Sequence, residues 1–436
     1  MVRLEDVLKK QNLERAIEKV KRNKGTSGVD GVKVTDLSAF MAQNWQRIEQ
    51  ELLNGTYKPQ AVRGVEIPKG NGKMRLLGIP TVMDRVIQQA LNQVLMPIWE
   101  QEFHPNSYGF RPNKSAQKAV EQAKVYINEG NKFIISLDLE KFFDKINHDK
   151  LMNLIRAKIT DKRILSVIRK FLNAGIMKGE EFEKREKGTP QGSPLSPLLA
   201  NILLHELDLE VEKRGIKFVR YADDINFFLK SHTSARRVLN RIRKFIERKL
   251  KLSINMDKTK IVKPKNLEIL GFSFVPAYKK GDKGWILSIS KKSWTTLKFK
   301  LKEITRKTAG ISVKERIAKI NALMRGWVNY FRIATGYQKF KDLDGWLRNR
   351  LRYCIWHDWK RPKKRKLSLI KLGVKTRLAG MYANSRMGGW AVAQSPIMKT
   401  TITEKVLQKV GYQSFTDYYV SLKFDQHKNQ TSLIFL

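Results

Sequence analysis

The chain has 436 residues, 42% of them apolar, and carries 86 Lys+Arg against 41 Asp+Glu for a formal net charge of +45. That length predicts two to four structural units with real cores, and a field of that size repels itself until a polyanion, nucleic acid first of all, neutralises it. A polar start (MVRLEDVLKK) without a long apolar run predicts no membrane partner and an intracellular protein, and the single cysteine, Cys354, excludes a disulfide framework or a cysteine-paired zinc site.

The first sixty residues read as amphipathic helices broken by the glycine-punctuated loop NKGTSGVDG (23–31). GVEIPKGNGKMRLLGIP (64–80) reads as two strands around a Gly70-Asn71-Gly72 turn. From Asp84 to Phe103 apolar residues recur at helical spacing, behind an expected Asp cap. KFIISLDLEKFFDKINHDKL (132–151) begins as a buried strand and is expected to turn helical after Asp138. GTPQGSPLSPLLANILLHELDLEVEKR (188–214) is a Gly/Pro loop feeding a long helix, and FVRYADDINFFLK (218–230) is a hairpin whose turn presents Asp223 and Asp224 together. Beyond residue 284 the chain reads as mainly helical. Charge density more than doubles there: residues 279–436 hold 35 basic and 9 acidic residues, net +26, against 51 and 32, net +19, in residues 1–278.

Two-metal phosphoryl transfer needs carboxylates from separate elements converging on one spot. Asp138, at the tip of a predicted strand, and the Asp223-Asp224 turn are suitably placed. Each has a blander reading, Asp138 as a helix N-cap and the pair as an ordinary polar turn. In the C-terminal third, Leu347, Leu351, Cys354 and Ile355 form a core stripe, with Arg348 and Arg352 on another face. Trp327, Tyr330, Trp346, Trp356 and Trp359 are expected to pack between helices rather than stack on bases. Pro362 should end the preceding helix and project the basic run Lys360, Arg361, Lys363, Lys364, Arg365 and Lys366 outward.

The ordered motifs NKGTSGVDGVK, IPKGNGKMRLLGIPTVMDRVIQQAL, SYGFRPNKSA, DLEKFFDKINHDKL, GTPQGSPLSPLLANILLHELD, RYADD, LKLSINMDKTKI and EILGFSF resemble those of group II intron reverse transcriptases, or maturases. RGWVNYFRIATG and WLRNRLRYCIWHDWKRPKKR resemble that family's thumb. Gly70 stands where the family often has Pro, and Ser193 where it often has Gly.

The resemblance implies an α+β right-hand polymerase. Its fingers and palm would combine an antiparallel sheet with helices, followed by a helical thumb (maturase) domain and a small C-terminal DNA-binding region. The expected boundaries are 1–60 for an extension of the fingers, 61–278 for fingers and palm, 285–379 for the thumb and 380–436 for the DNA-binding region. With no second cysteine, the chain resembles compact, endonuclease-lacking members of the group IIC type.

The resemblance also implies roles. Asp138, Asp223 and Asp224 would be catalytic and hold two Mg²⁺, with Mn²⁺ a possible substitute. Lys69 and Arg75 would clamp the incoming triphosphate, Phe143 would crowd a ribose 2′-OH, Gln191 and Gly192 would pack against nucleotide and template, and Lys258 would lie near the active site. The basic run 360–366 would bind RNA. The implied partners are intron RNA, an RNA template with a DNA or RNA primer, target DNA and deoxynucleoside triphosphates. The expected location is the bacterial cytoplasm, at the nucleoid when on target DNA. Two further readings stay open at this point: a splicing cofactor without polymerase activity, and an intron-independent reverse transcriptase serving host defence or repair.

Overall fold

The computed structural model describes residues 2–68, 74–277 and 284–432, with side chains described through residue 423. The chain divides into two compact units, Met1–Pro264 and Lys265–Leu436. That division falls before the jump in charge density at 278, because the short strands after Pro264 pair with one that follows it.

In the first unit α1 (Leu4–Leu8), α2 (Lys10–Arg22) and α3 (Leu37–Leu53) precede a hairpin of β1 (Val62–Pro68) and β2 (Met74–Ile79). The hairpin is antiparallel, Arg63 opposite Ile79 through Pro68 opposite Met74. α4 (Val82–Glu100) follows; α2 lies on it through Leu13, Ala16 and Val20, spaced to share one helical face. The cap of α4 is Thr81, whose hydroxyl accepts from the Asp84 amide at 3.1 Å. Asp84, the expected cap, sits one turn inside instead, buried, and takes hydrogen bonds from Tyr57 and Thr81. Thr preceded by Pro80 adopts the extended backbone a cap requires, and Asp84 is already helical.

α5 (Ala116–Asn128) leads into β3 (Phe133–Leu137), whose Ile134, Ile135 and Leu137 are buried. The chain does not turn directly into a helix after Asp138. Lys141 takes a left-handed φ of 46°, and the region splits into α6 (Phe142–Lys145) and α7 (His148–Arg156). α8 (Lys162–Asn173), β4 (Ile176–Lys178) and β5 (Glu181–Glu183) come next, with β4 joining β1 in parallel. α9 (Ser196–Lys213) is buried along most of its circumference, which its near-continuous apolar sequence requires. It is followed by β6 (Lys217–Tyr221), β7 (Asp224–Leu229), α10 (His232–Phe245) and β8 (Lys260–Val262). The central sheet runs β6-β7-β3-β8, all antiparallel.

The second unit opens with a sheet of β9 (Glu268–Ile269), β10 (Phe272–Pro276) and β11 (Trp285–Ile289). The start of the region expected to be helical is therefore a strand. Helices follow: α11 (Lys291–Ile304), α12 (Val313–Phe331), α13 (Tyr337–Asp358), α14 (Pro362–Lys371), α15 (Thr376–Ala383), α16 (Gly389–Gln394), α17 (Pro396–Thr401), α18 (Glu404–Lys409) and α19 (Phe415–Ser432). An aromatic cluster of Trp294, Trp327, Phe331 and Phe340 joins α11, α12 and α13. Asp344, buried on α13, accepts from Ser414 Oγ and from the Phe415 and Thr416 amides at 2.9 Å each, capping α19 and fastening it to α13. Among the described residues no helix is long and apolar enough to cross a membrane.

Candidate active site

The carboxylates meet because of strand register. β3 pairs with β7 out to Leu137 opposite Ile225, so one step further sets Asp138 opposite Asp224. β6 and β7 are joined by Ala222 and Asp223, with Tyr221 opposite Asp224. All three acids thus stand at one end of the central sheet. Asp138 is held as a strand extension and not as a helix cap: its amide donates to Thr259 Oγ1 at 3.1 Å, and its carbonyl accepts from the Asn255 amide at 2.9 Å.

A cavity of about 1020 Å³ opens here, lined by Asp138, Asp223, Arg75, Phe143, Gln191 and Lys258, with other residues of the first unit. Lys258 Nζ lies 3.4 Å from Asp138 Oδ2. Arg75 Nε donates to Gln191 Oε1, and the Gly78 amide donates to the Gln191 carbonyl at 3.0 Å, so the β1–β2 hairpin is tied to the PQG loop. Gly192 lies outside the cavity lining, yet its φ of 117° is one that side chains rarely adopt, and a Cβ would sit 3.2 Å from Gly78 O. Phe142 is buried while Phe143 is half-exposed, and both residues line the cavity. Lys69 lies outside the described residues.

Burial raises the Asp223 carboxyl above its ordinary range; the Arg75 charge opposes that rise and Asp138 adds to it. Asp224 still reaches solvent along one side, yet its carboxyl is pushed up to about 6, first by burial and then by repulsion from Asp223 and Asp138. Acids crowded in this way favour a cation. Among the described residues no three His, Cys, Asp or Glu side chains form a ready-made metal cage. Mg²⁺ does not need one, since it keeps several waters and takes one or two carboxylates with substrate phosphates. The donor set therefore fits.

Behind the turn lies a buried network that the sequence motifs did not flag. Arg220, fully buried on β6, donates Nε to Asp208 Oδ1 at 2.8 Å, Nη2 to Asp208 Oδ2, and Nη1 to Asn201 Oδ1 at 2.8 Å and to Ala222 O at 3.2 Å. Asn201 Nδ2 in turn donates to Gly109 O at 2.8 Å. Gly109 presses on the turn so closely that a Cβ would meet Ala222 N at 2.3 Å. Ala222 itself holds a φ of 56°, an uncommon value for a non-glycine residue. One sign was available at Arg220, a single charge between Phe218-Val219 and Tyr221-Ala222, since such a charge is buried only when paired; Asp208, among Glu206, Glu210 and Glu212, carried none.

The second unit gathers the remaining expected residues. Lys360, Arg361, Lys363, Lys364 and Lys366 are exposed, but Arg365 is half-buried with its guanidinium 4.6 Å from the Trp356 ring centre. α13 has already ended before Pro362, which instead opens α14, where its missing N–H costs nothing. Arg352, expected on another face than the core stripe, is not exposed there. It is buried and donates Nε to Ile402 O at 3.0 Å. Cys354 is buried and donates Sγ to Thr305 O, a packing role. Of the five aromatics, Trp356 is buried and the others are half-buried.

Two family models match successive stretches of the chain. Residues 67–274 match the reverse transcriptase (RNA-dependent DNA polymerase) family, and residues 295–372 match the group II intron maturase-specific domain. Protein YkfC of Escherichia coli K12 is 35% identical over 274 residues, which make up 54% of this chain and 72% of that protein. Group II intron-encoded protein LtrA of Lactococcus lactis subsp. cremoris is 38% identical over 232 residues, 52% of this chain and 38% of LtrA. A chain of a solved Cas6-RT-Cas1–Cas2 complex aligns at a TM-score of 0.36 with 24% identity, over 56% of this chain and 42% of that one. The first match sets the class: a reverse transcriptase, that is, an RNA-directed DNA polymerase. More particularly, the chain belongs to the group II intron-encoded reverse transcriptases, which pair that polymerase with a maturase domain. It spans most of YkfC's length but well under half of LtrA's.

Proposed function

We propose that this chain copies RNA into DNA at the Asp138–Asp223–Asp224 end of the central sheet and binds intron RNA to assist splicing and retrohoming. The observation that carries the reading is the register that sets Asp138 opposite the Asp223-Asp224 turn, within a cavity also lined by basic side chains. A pair of Mg²⁺ ions, or Mn²⁺ in their stead, held by Asp138 and Asp223 with Asp224 beside them, would activate the primer hydroxyl and offset charge on the departing phosphates.

The chain's own residues do the remaining work. Arg75, oriented by Gln191, presents a guanidinium suited to two-point phosphate contact; Lys69 is its partner in this reading. Lys258 holds the Asp138 carboxylate toward the cavity. Phe143 offers its ring where a ribose 2′-OH would sit, and Gly192 lets the PQG loop pass close beside β2. The exposed lysines and Arg361 of the 360–366 run would contact RNA phosphates, and the helices after residue 380 would contact target DNA. The partners are then intron RNA, a primed RNA template, target DNA and deoxynucleoside triphosphates, met in the cytoplasm and at the nucleoid.

Asp223→Asn keeps size and turn preference while weakening cation binding. Primer extension on an RNA template should fall by orders of magnitude, while template–primer affinity stays within a few fold. Extension at the wild-type rate would place the chemistry elsewhere, and a wild-type chain that binds and splices intron RNA without extending primers would leave the splicing-cofactor reading.

A further inference from the structure

To the lining of the same cavity, the segment after β5 contributes Arg185, a residue to which neither the motifs nor the three acids assign a role. Its Nη1 is buried and has no hydrogen-bond partner, and no ion pair joins Arg185 to another described residue. A guanidinium brings five donors and cannot shed its proton, so a buried donor left unpaired on it is costly.

The neighbouring charges are otherwise engaged. Glu183 pairs with Lys178 at 2.6 Å, and Glu186 with Lys184 at 3.8 Å. Lys258 is taken by Asp138, and Arg75 by Gln191. Asp144 acts on Arg185 only through its field. Nor is the segment free to swing away. The Gly188 amide donates to Ile146 O and the Thr189 amide to Phe143 O, both at 2.7 Å, while His148 Nε2 meets Gly188 O at 2.6 Å. At a φ of 84°, Gly188 lies so close to α6 that a Cβ would stand 2.7 Å from Phe143 O. These bonds hold Gly188 and Thr189 against α6, and Arg185, three residues before Gly188, lines the same cavity as Phe143 and Asp138.

We propose that the Arg185 guanidinium is a further phosphate ligand of the polymerase cavity, meeting either a template–primer phosphodiester or the triphosphate of the incoming nucleotide. A planar fork on the lining of a site that must hold polyanions, without an ion pair to a described residue, matches the geometry of phosphate oxygens. The proposal rests on the polymerase reading.

The test compares Arg185→Gln and Arg185→Lys with the wild type. It reads KM for deoxynucleotides at saturating template–primer, Kd for template–primer by anisotropy, and the effect of single methylphosphonates placed along the template near the primer end. Losing a charge-assisted contact should raise one of the two constants roughly ten- to hundredfold in Arg185→Gln, with partial recovery in Arg185→Lys. A raised KM with unchanged Kd identifies the triphosphate. A raised Kd, with one methylphosphonate that weakens the wild type and leaves Arg185→Gln unaffected, identifies the template strand. Both constants at wild-type values in a folded Arg185→Gln would overturn the proposal while the Asp223→Asn result still stands for the polymerase. So would a loss confined to thermal stability that lysine does not restore.

Discussion

Removing Asp208 should both unseat the Asp223-Asp224 turn and destabilise the first unit. Arg220 and Asp208 are 0% and 1% exposed and share two hydrogen bonds, Nε–Oδ1 at 2.8 Å and Nη2–Oδ2 at 2.5 Å. Asp208→Asn keeps the volume but leaves a guanidinium charge buried without a counterion, which costs about 3–5 kcal/mol. That is a large share of the roughly 5–15 kcal/mol by which a typical protein is stable. The same guanidinium holds Asn201 and the Ala222 carbonyl, and Ala222 sits in a backbone region that costs roughly 1–3 kcal/mol to hold. The turn should relax as its anchor shifts. Urea unfolding measures the first effect, and single-turnover primer extension at saturating substrates measures the second. The double variant Asp208→Leu, Arg220→Met separates them. It removes both charges, so stability should return to within about 1–2 kcal/mol of the wild type, but extension should stay slow because no donor reaches Ala222 O. An Asp208→Asn loss below about 1 kcal/mol would refute the stability argument, and a double variant extending at the wild-type rate would refute the positioning argument.

Phe143→Val should open room for a 2′-OH and reduce discrimination against ribonucleotides by about 1–3 kcal/mol; an unchanged incorporation ratio would move the gate to another residue. Replacing Lys363, Lys364 and Lys366 with Gln, while keeping Arg365 on its Trp356 ring, should flatten the salt slope of RNA binding by about two, at roughly 0.7–0.9 per phosphate contact. Parallel slopes for variant and wild type would show that this run faces solvent alone. In chelator, the raised Asp224 carboxyl makes the folded chain hold its proton more tightly than the unfolded chain does, so this group's contribution to stability should fall as pH rises from about 4 to about 6. Asp224→Asn should remove that part of the slope, and identical pH profiles for the two proteins would contradict the repulsion described for the three acids.

The sequence by itself determined the elements whose residues answer to their own neighbours. Alternating and continuous apolar runs marked β3, β6, β7 and the long helix α9, because burial on one face or on all faces leaves a readable period. The Asp223-Asp224 turn was legible for the same reason, as was the basic excess of the C-terminal third. Local competition was less legible. Thr81 rather than Asp84 caps α4, Lys141 breaks the helix expected after Asp138, and Pro362 opens a helix rather than closing one, since each outcome turns on a backbone angle that neighbouring residue types leave nearly balanced. Long-range pairing was not legible at all. Arg352 lay on another face than the core stripe by helical spacing, yet the Ile402 carbonyl, fifty positions away, satisfies it in the core. Arg365 looked like one cation among six until Trp356 covered it. Asp208, Arg220, Asn201 and Gly109 converge on Ala222 from α9, β6 and the loop before α5. The favourable energy of a buried ion pair depends on distance and on exclusion of water, and neither is a property of any one stretch of chain.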